Sequence, residues 1–281
     1  MTLQPLSYSV TQLLSYSTIR TTFVFMKVAY LLPDREIAEY VQSILVIENY
    51  EVKTPFILPL FANGMPTLLF QSAKGKINNH SNYLTLFGQT VLPDTITLTE
   101  NFTLIAYFFK PFVLTSLFNI EANELTDKPG DLRSLTSSVA NNLQEQLLNA
   151  TTTKEMLALI NKYVLGLAAK SKKDAQIIKY VTEKIAQNPN KDALIKVQKE
   201  LYITERTFQR MFENNIGVSP NQYRRIAQFN TAFEQLNKRQ FRSLSDIVFR
   251  NNYSDQSHFI RAFKEFTNLT PKEYLNFGTA D

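Results

Sequence analysis

The sequence predicts an α+β multidomain chain. A β-rich N-terminal domain of small-barrel or cupin-like form, with helices packed on it, precedes an all-α C-terminal domain. Three observations predict this. Short apolar runs separated by turn-forming pairs fill residues 40 to 110. The apolar spacing becomes helical after Pro111. The last hundred or so residues repeat one helical unit at an offset of 51.

The β part reads as strands at 43–47, 67–70, 83–87 and 102–109, all rich in Leu, Ile, Val, Thr and aromatics. Asn63-Gly64, Lys74-Gly75, Asn78-Asn79 and Pro93-Asp94 separate them as turn signals. Helices follow at 131–149, on Leu132, Leu135, Val139, Leu143 and Leu147, and at 153–169, on Met156, Leu159, Ile160, Tyr163 and Leu167. Ser171-Lys-Lys173 is a polar junction, which places a domain boundary between 170 and 171. Residues 1–26 form a lead-in without an acidic residue. They read as a flexible segment, as a targeting peptide, or as a stretch preceding a true start at Met26.

Beyond the junction, helices are expected at 174–187, 191–201, 204–214, 220–237, 245–251, 255–266 and 271–276. Phe208, Arg210 and Phe212 repeat as Phe259, Arg261 and Phe263. Ser219-Pro220 with Gln222, and Thr270-Pro271 with Glu273, read as capping boxes with proline at the first helical position. Gly217 and Asn268 stand where a left-handed residue ends the preceding helix, and Asn252 stands at a turn that wants positive φ. Each copy is therefore a helix, a turn with a capping Thr204 or Ser254, a second helix, and a stop. The whole domain is a double helix-turn-helix over residues 171–281.

At 100° per residue the second helix of each copy hides its aromatic residues and turns others outward. Arg206, Gln209 and Arg210 face out of the first, and Gln256, Ser257, Arg261 and Lys264 out of the second. Arg reaches guanine bidentately and Gln reaches adenine, so these are side chains that read base edges in a major groove. Thr204, Arg224, Arg225, Arg239, Arg242, Ser254, His258 and Lys264 are the expected phosphate neighbours. Charge agrees. Residues 1–170 hold 12 Lys/Arg against 13 Asp/Glu, and residues 171–281 hold 18 against 12. The basic excess thus lies in the helical domain, as a polyanion-binding module requires.

These motifs resemble the AraC/XylS family of bacterial transcription regulators over about residues 174–277. The run SDQSHFIRAFK from Ser254 to Lys264, followed by LTPKEY to Tyr274, carries most of the resemblance. Arg206, Phe208, Arg210, Phe212, Gly217, Ser219, Pro220 and Tyr223 carry the first unit. Asn252 and Asn268 replace the family's usual glycines, Tyr253 its Phe, and Val248 its Ala. The resemblance implies a cytoplasmic regulator, with activation among its roles, that binds double-stranded DNA and can contact RNA polymerase. By the same resemblance Arg206, Gln209, Arg210, Gln256, Ser257 and Arg261 fall at base-reading places. The stretches 107–112 and 124–127 resemble the β-rich sensor domains attached to such regulators. That implies control by a small organic effector, or a domain that serves protein–protein contact and homodimerisation through helices 131–169.

Other classes are disfavoured. The chain has no cysteine, which excludes disulfides and thiolate metal sites, and its two histidines, His80 and His258, cannot build a multi-imidazole centre. No cofactor or metal is expected, no Ser/His/Asp grouping or phosphate loop suggests an enzyme, and no 18-residue apolar run suggests a membrane span.

Overall fold

The computed structural model describes residues 26–77, 81–135, 137–171 and 175–276. The lead-in up to 25, the Asn78-Asn79 turn, His80 and most of the 171–173 junction lie outside the described residues, as does the side chain of Val139.

Among the described residues nine strands form two antiparallel sheets. The larger has the order β1 (Met26–Leu31), β2 (Val41–Asn49), β8 (Phe102–Phe109), β4 (Thr67–Gln71), β6 (Leu84–Phe87) and β9 (Gly130–Asp131). The smaller has the order β3 (Phe56–Leu60), β7 (Asp94–Leu98) and β5 (Lys76–Ile77). The β-rich fold class stands, but the strands do not close into a barrel, and each sheet keeps its own edges. Met26, expected in the lead-in, is the buried first residue of β1 and pairs with Asn49.

Alternation along the central strands explains why they read as continuous apolar runs. In β8, Ile105, Tyr107 and Phe109 point into a core shared with the helices. Phe102, Leu104 and Ala106 point into a second core against the smaller sheet. A strand covered on both faces has no polar side, so period two disappears from its sequence.

Two helical turns, Leu114–Phe118 and Ala122–Leu125, lead from β8 to the helices. These are α1 (Leu132–Leu135), α2 (Ser137–Asn149), α3 (Thr153–Lys170), α4 (Gln176–Gln187), α5 (Lys191–Glu200), α6 (Glu205–Ile216), α7 (Pro220–Asn237), α8 (Leu244–Arg250), α9 (Gln256–Thr267) and α10 (Pro271–Asn276). α3 is capped by Thr152, whose side chain accepts from the Glu155 amide, and it buries Met156, Ile160, Tyr163 and Val164.

The cores do not part at the junction near residue 171. Ile178, Val181, Ile185, Val197, Phe208, Phe212, Ile216 and Tyr223 belong to the cluster that contains Phe70, Tyr107 and Phe118. The first helical unit thus rests on the β half. Thr126 Oγ1 donates to the Gly217 carbonyl at 2.7 Å, and Thr115 Oγ1 to the Asn214 carbonyl at 3.2 Å. The second unit has a separate aromatic core of Phe229, Phe233, Phe259, Phe263, Phe266 and Tyr274, which takes in Ala62 and touches Phe61 of the β half.

Candidate nucleic-acid interface

Helix α6 begins at Thr204, whose side chain accepts from the Thr207 amide at 3.3 Å. It ends at Gly217, whose φ of 93° closes the helix through bonds to the Phe212 and Glu213 carbonyls. A Cβ here would meet strained backbone and, at 2.5 Å, Thr126 Oγ1, so glycine is required twice over. Phe208, Phe212 and Ile216 are buried, with the two phenyl rings 5.3 Å apart. Arg206, Gln209 and Arg210 are exposed, as the helical spacing predicts.

Helix α9 repeats the plan with one change. Its cap is Asp255, not Ser254: the Asp255 carboxylate accepts from the His258 amide at 2.7 Å. Ser254 instead donates to Asp255 at 2.9 Å. The reason lies in the turn. Tyr202 and Asn252, fifty residues apart, are the left-handed residues of the two turns, with φ of 54° and 57°. Thr204 and Asp255, fifty-one apart, are the caps. The second turn is one residue longer, so the cap moves one place along. Hydrogen bonds from the His258 amide and from Ser254 hold the Asp255 carboxyl below the usual carboxylate range. Asn268, at φ 61°, ends the helix.

Ser257, Arg261 and Lys264 are exposed on α9 above buried Phe259, Ala262, Phe263 and Phe266. Gln256 is exposed too, but its amide donates to Ser245 Oγ at 2.6 Å, so it is engaged inside the unit. His258 is half-buried, edge-on to Tyr253, with Nδ1 3.2 Å from Ser254 Oγ. None of Arg206, Arg210, Arg261 and Lys264 forms an ion pair among the described residues. Their charges are available to an outside partner.

Helix α7 joins the units. Ser219 caps it by accepting from the Gln222 amide, with Pro220 at its first turn. Gln222 does not complete the box, because its carbonyl oxygen accepts from Arg225. At α10 the reciprocal box is complete: Thr270 Oγ1 accepts from the Glu273 amide, and the Glu273 carboxylate accepts from the Thr270 amide at 2.7 Å.

Two expected phosphate neighbours on α7 are placed otherwise. Arg224 is 7% exposed and donates to the Pro189 carbonyl, Asn221 and Gln228. A guanidinium spent on the interior does not stand at the surface for a phosphate. Arg225 is half-buried, pairs with the Glu265 carboxylate at 3.0 and 2.5 Å, and lies over the Phe266 ring. The sequence of α7 marks no solvent face, because it has apolar residues on more than one side, so spacing alone does not separate these two arginines from surface ones. Arg239 and Arg242 are exposed beyond its end.

Among the described residues no group of three or more His, Asp or Glu side chains could hold a metal, and no helix is long and apolar enough to cross a membrane.

Comparison with known proteins supports this description. Residues 197–276 match the family described as "Helix-turn-helix domain", and residues 30–131 match "Domain of unknown function (DUF6597)". No curated protein matches. Solved structures of ToxT from Vibrio cholerae are similar at low identity. ToxT of strain O395 bound to (E)-4-(8-methylnaphthalen-1-yl)but-3-enoic acid is 11% identical, with 80% of this chain and 98% of that one covered, at a TM-score of 0.47. ToxT of strain O395 is 13% identical over 81% and 98%, at 0.46. Wild-type ToxT of strain SCE256 with unsaturated fatty acid bound is 14% identical over 85% and 97%, at 0.46. The family match places a DNA-binding domain of the helix-turn-helix kind in the helical part of the chain. More narrowly, residues 197–276 are a helix-turn-helix domain of the AraC type.

Proposed function

We propose that this chain is a sequence-specific transcription regulator that reads duplex DNA with α6 and α9, under the control of a small effector bound between its halves. One observation carries the DNA reading. Two separately capped helices of one plan, joined by a single linking helix, each bury an aromatic face and leave unpaired arginines outside. Arg206, Gln209 and Arg210 in the first unit, and Ser257 and Arg261 in the second, are the proposed base readers. Thr204, Arg239, Arg242, His258 and Lys264 are the proposed phosphate neighbours. Gln256 joins the readers if DNA displaces it from Ser245.

A cavity of about 690 Å³ supports the effector part. Its walls come from the β half (Tyr30, Leu58 and Phe87) and from α7 (Phe229, Phe233 and Lys238). The buried Tyr30 hydroxyl has no hydrogen-bond partner among the described residues. A mostly apolar ligand would suit these walls. An occupant there touches the helix that joins both units, so it can bias how they are held. The proposed domains are 27–170 for sensing and dimerisation through α2 and α3, and 171–281 for DNA. A contact with RNA polymerase would make the regulator an activator.

The test is a gel-shift assay of the full chain on fragments of the host genome. Specific binding shows as fragments retained against excess random duplex, with affinity falling steeply as salt rises. Retention indifferent to sequence would remove the specific regulator. A metabolite screen by thermal shift tests the cavity, and a Phe233→Ala variant that responds like wild type to every hit would remove the effector site.

A further inference from the structure

The two helical units are held together in two different ways. One is the apolar cluster on α7, with Phe229 and Phe233 against Phe263, Phe266 and Tyr274 at ring separations of 5.0 to 5.8 Å. Such packing is strong but weakly directional. The other is a chain of buried polar groups along the same helix. Arg224 Nη1 donates to the Pro189 carbonyl at 3.1 Å, in the turn between α4 and α5 of the first unit, and to Gln228 Oε1 at 2.9 Å. Gln228 Nε2 donates to the carbonyls of Asn251 and Asn252, at 2.7 and 3.0 Å. These carbonyls close α8 and form the turn ahead of α9. Asn251 Nδ2 returns to α7 through Gln235 Oε1 and to α8 through the Ile247 carbonyl, both at 2.8 Å. Arg224, Gln228 and Asn251 are 7%, 4% and 5% exposed.

This chain of bonds is saturated in one arrangement. Gln228 accepts on one side and donates twice on the other, so it links a guanidinium bound to the first unit with the turn that sets the start of the second recognition helix. Hydrogen bonds fix angles as well as distances, and buried groups left without them are costly. A pivot of the second unit about α7 breaks the Gln228 bonds. No carboxylate pairs with Arg224 among the described residues, so neutral partners alone hold its charge.

Resting on the DNA-reading assignment above, we infer that Arg224 and Gln228 are positioning residues that set the relative placement of α6 and α9. They thereby determine the separation at which the chain accepts two half-sites in DNA. They touch no base. They act through the Asn251–Asn252 turn, and their loss relaxes spacing without changing which bases each helix prefers.

The experiment is selection of bound duplexes by the full chain from a randomised pool spanning about three helical turns. Wild type enriches two sequence blocks at one separation. Gln228→Glu keeps the shape and the acceptor for Arg224 but removes both donors to the turn. Gln228→Met removes donors and acceptor together. Both variants are expected to enrich the same two blocks, with preference for the wild-type separation over neighbouring ones reduced roughly tenfold. A variant with wild-type helical circular dichroism that keeps the single separation overturns the inference. So does loss of the second block altogether, or unfolding of both variants, because Gln228 then supports the unit's fold and not its placement. If wild type enriches no blocks, the DNA-reading assignment fails first, and that failure is visible before any variant is compared.

Discussion

Replacing Tyr202 by glycine should stabilise the protein. Tyr202 holds φ at 54° in the turn before α6, and its side chain is 96% exposed. A non-glycine residue in this left-handed region costs roughly 1–2 kcal/mol, while glycine's extra freedom in the unfolded chain costs about 0.5–1 kcal/mol. The ring packs on nothing that would offset the difference, so Tyr202→Gly should gain about 0.5–1 kcal/mol. Two controls isolate the cause. Tyr202→Ala removes the ring but keeps the strain, and should lie within about 0.5 kcal/mol of wild type. Asn252→Gly at the matching turn should gain less, because asparagine tolerates this conformation. Urea denaturation reads the effect as a higher midpoint at unchanged slope. A lower midpoint for Tyr202→Gly, or an equal gain for Tyr202→Ala, would refute the reasoning.

Other perturbations test the second unit. Phe263 is fully buried and contacts Phe229, Phe233, Phe259 and Tyr274, so Phe263→Ala should cost about 3–5 kcal/mol. Its core draws on the β half through Ala62, Phe61 and Val91 alone, and amide exchange should rise across 244–276 first. Arg225 and Glu265 are 30% and 39% exposed, so a double-mutant cycle should give no more than about 1 kcal/mol of coupling. Asp255 titrates below the usual carboxylate range, chiefly because it accepts from the His258 amide. Its capping contribution is therefore full above that range and is lost as pH falls through the lowered value. Asp255→Asn should remove this part of the acid sensitivity between pH about 7 and pH about 3, measured by denaturant midpoints. An unchanged pH profile would contradict the capping assignment.

The helical domain was legible because its signals are local. Capping residues, prolines, left-handed stops and aromatic spacing act within a few positions, and they placed each helix to within two residues of where it lies. The errors are those that depend on distant partners. The exception is local: Ser254 and Asp255 are both good caps, and the 51-residue offset from Thr204 is the signal that selects Asp255. Arg224 and Arg225 look alike in sequence, yet Pro189 and Gln228 hold one while Glu265 holds the other. Tyr202 gave no warning of its backbone, since nothing in a tyrosine favours positive φ; alignment of its turn with that of Asn252 was the available signal. In the β half, β1, β3, β5, β7 and β9 are not among the strands the sequence marks; β5 and β9 are two residues long, and β3 and β7 have broken patterns. Pro59 interrupts one, Asp94 opens the other, and the smaller sheet they build is defined by pairing across nearly forty residues. Sheet closure is likewise a long-range property, which strand spacing alone does not determine.

The central claim is that guanidinium groups on α6 and α9 read bases in two separate segments of one site. The direct measurement is the affinity of wild type, Arg210→Ala and Arg261→Ala for a selected duplex and for its single base-pair variants. Each arginine variant should lose about 1–3 kcal/mol on the selected duplex and become indifferent to the base pair at one position, in a different block for each variant. A uniform loss across all the duplexes, with every base preference intact, would mean that these arginines hold phosphates and that the sequence is read elsewhere.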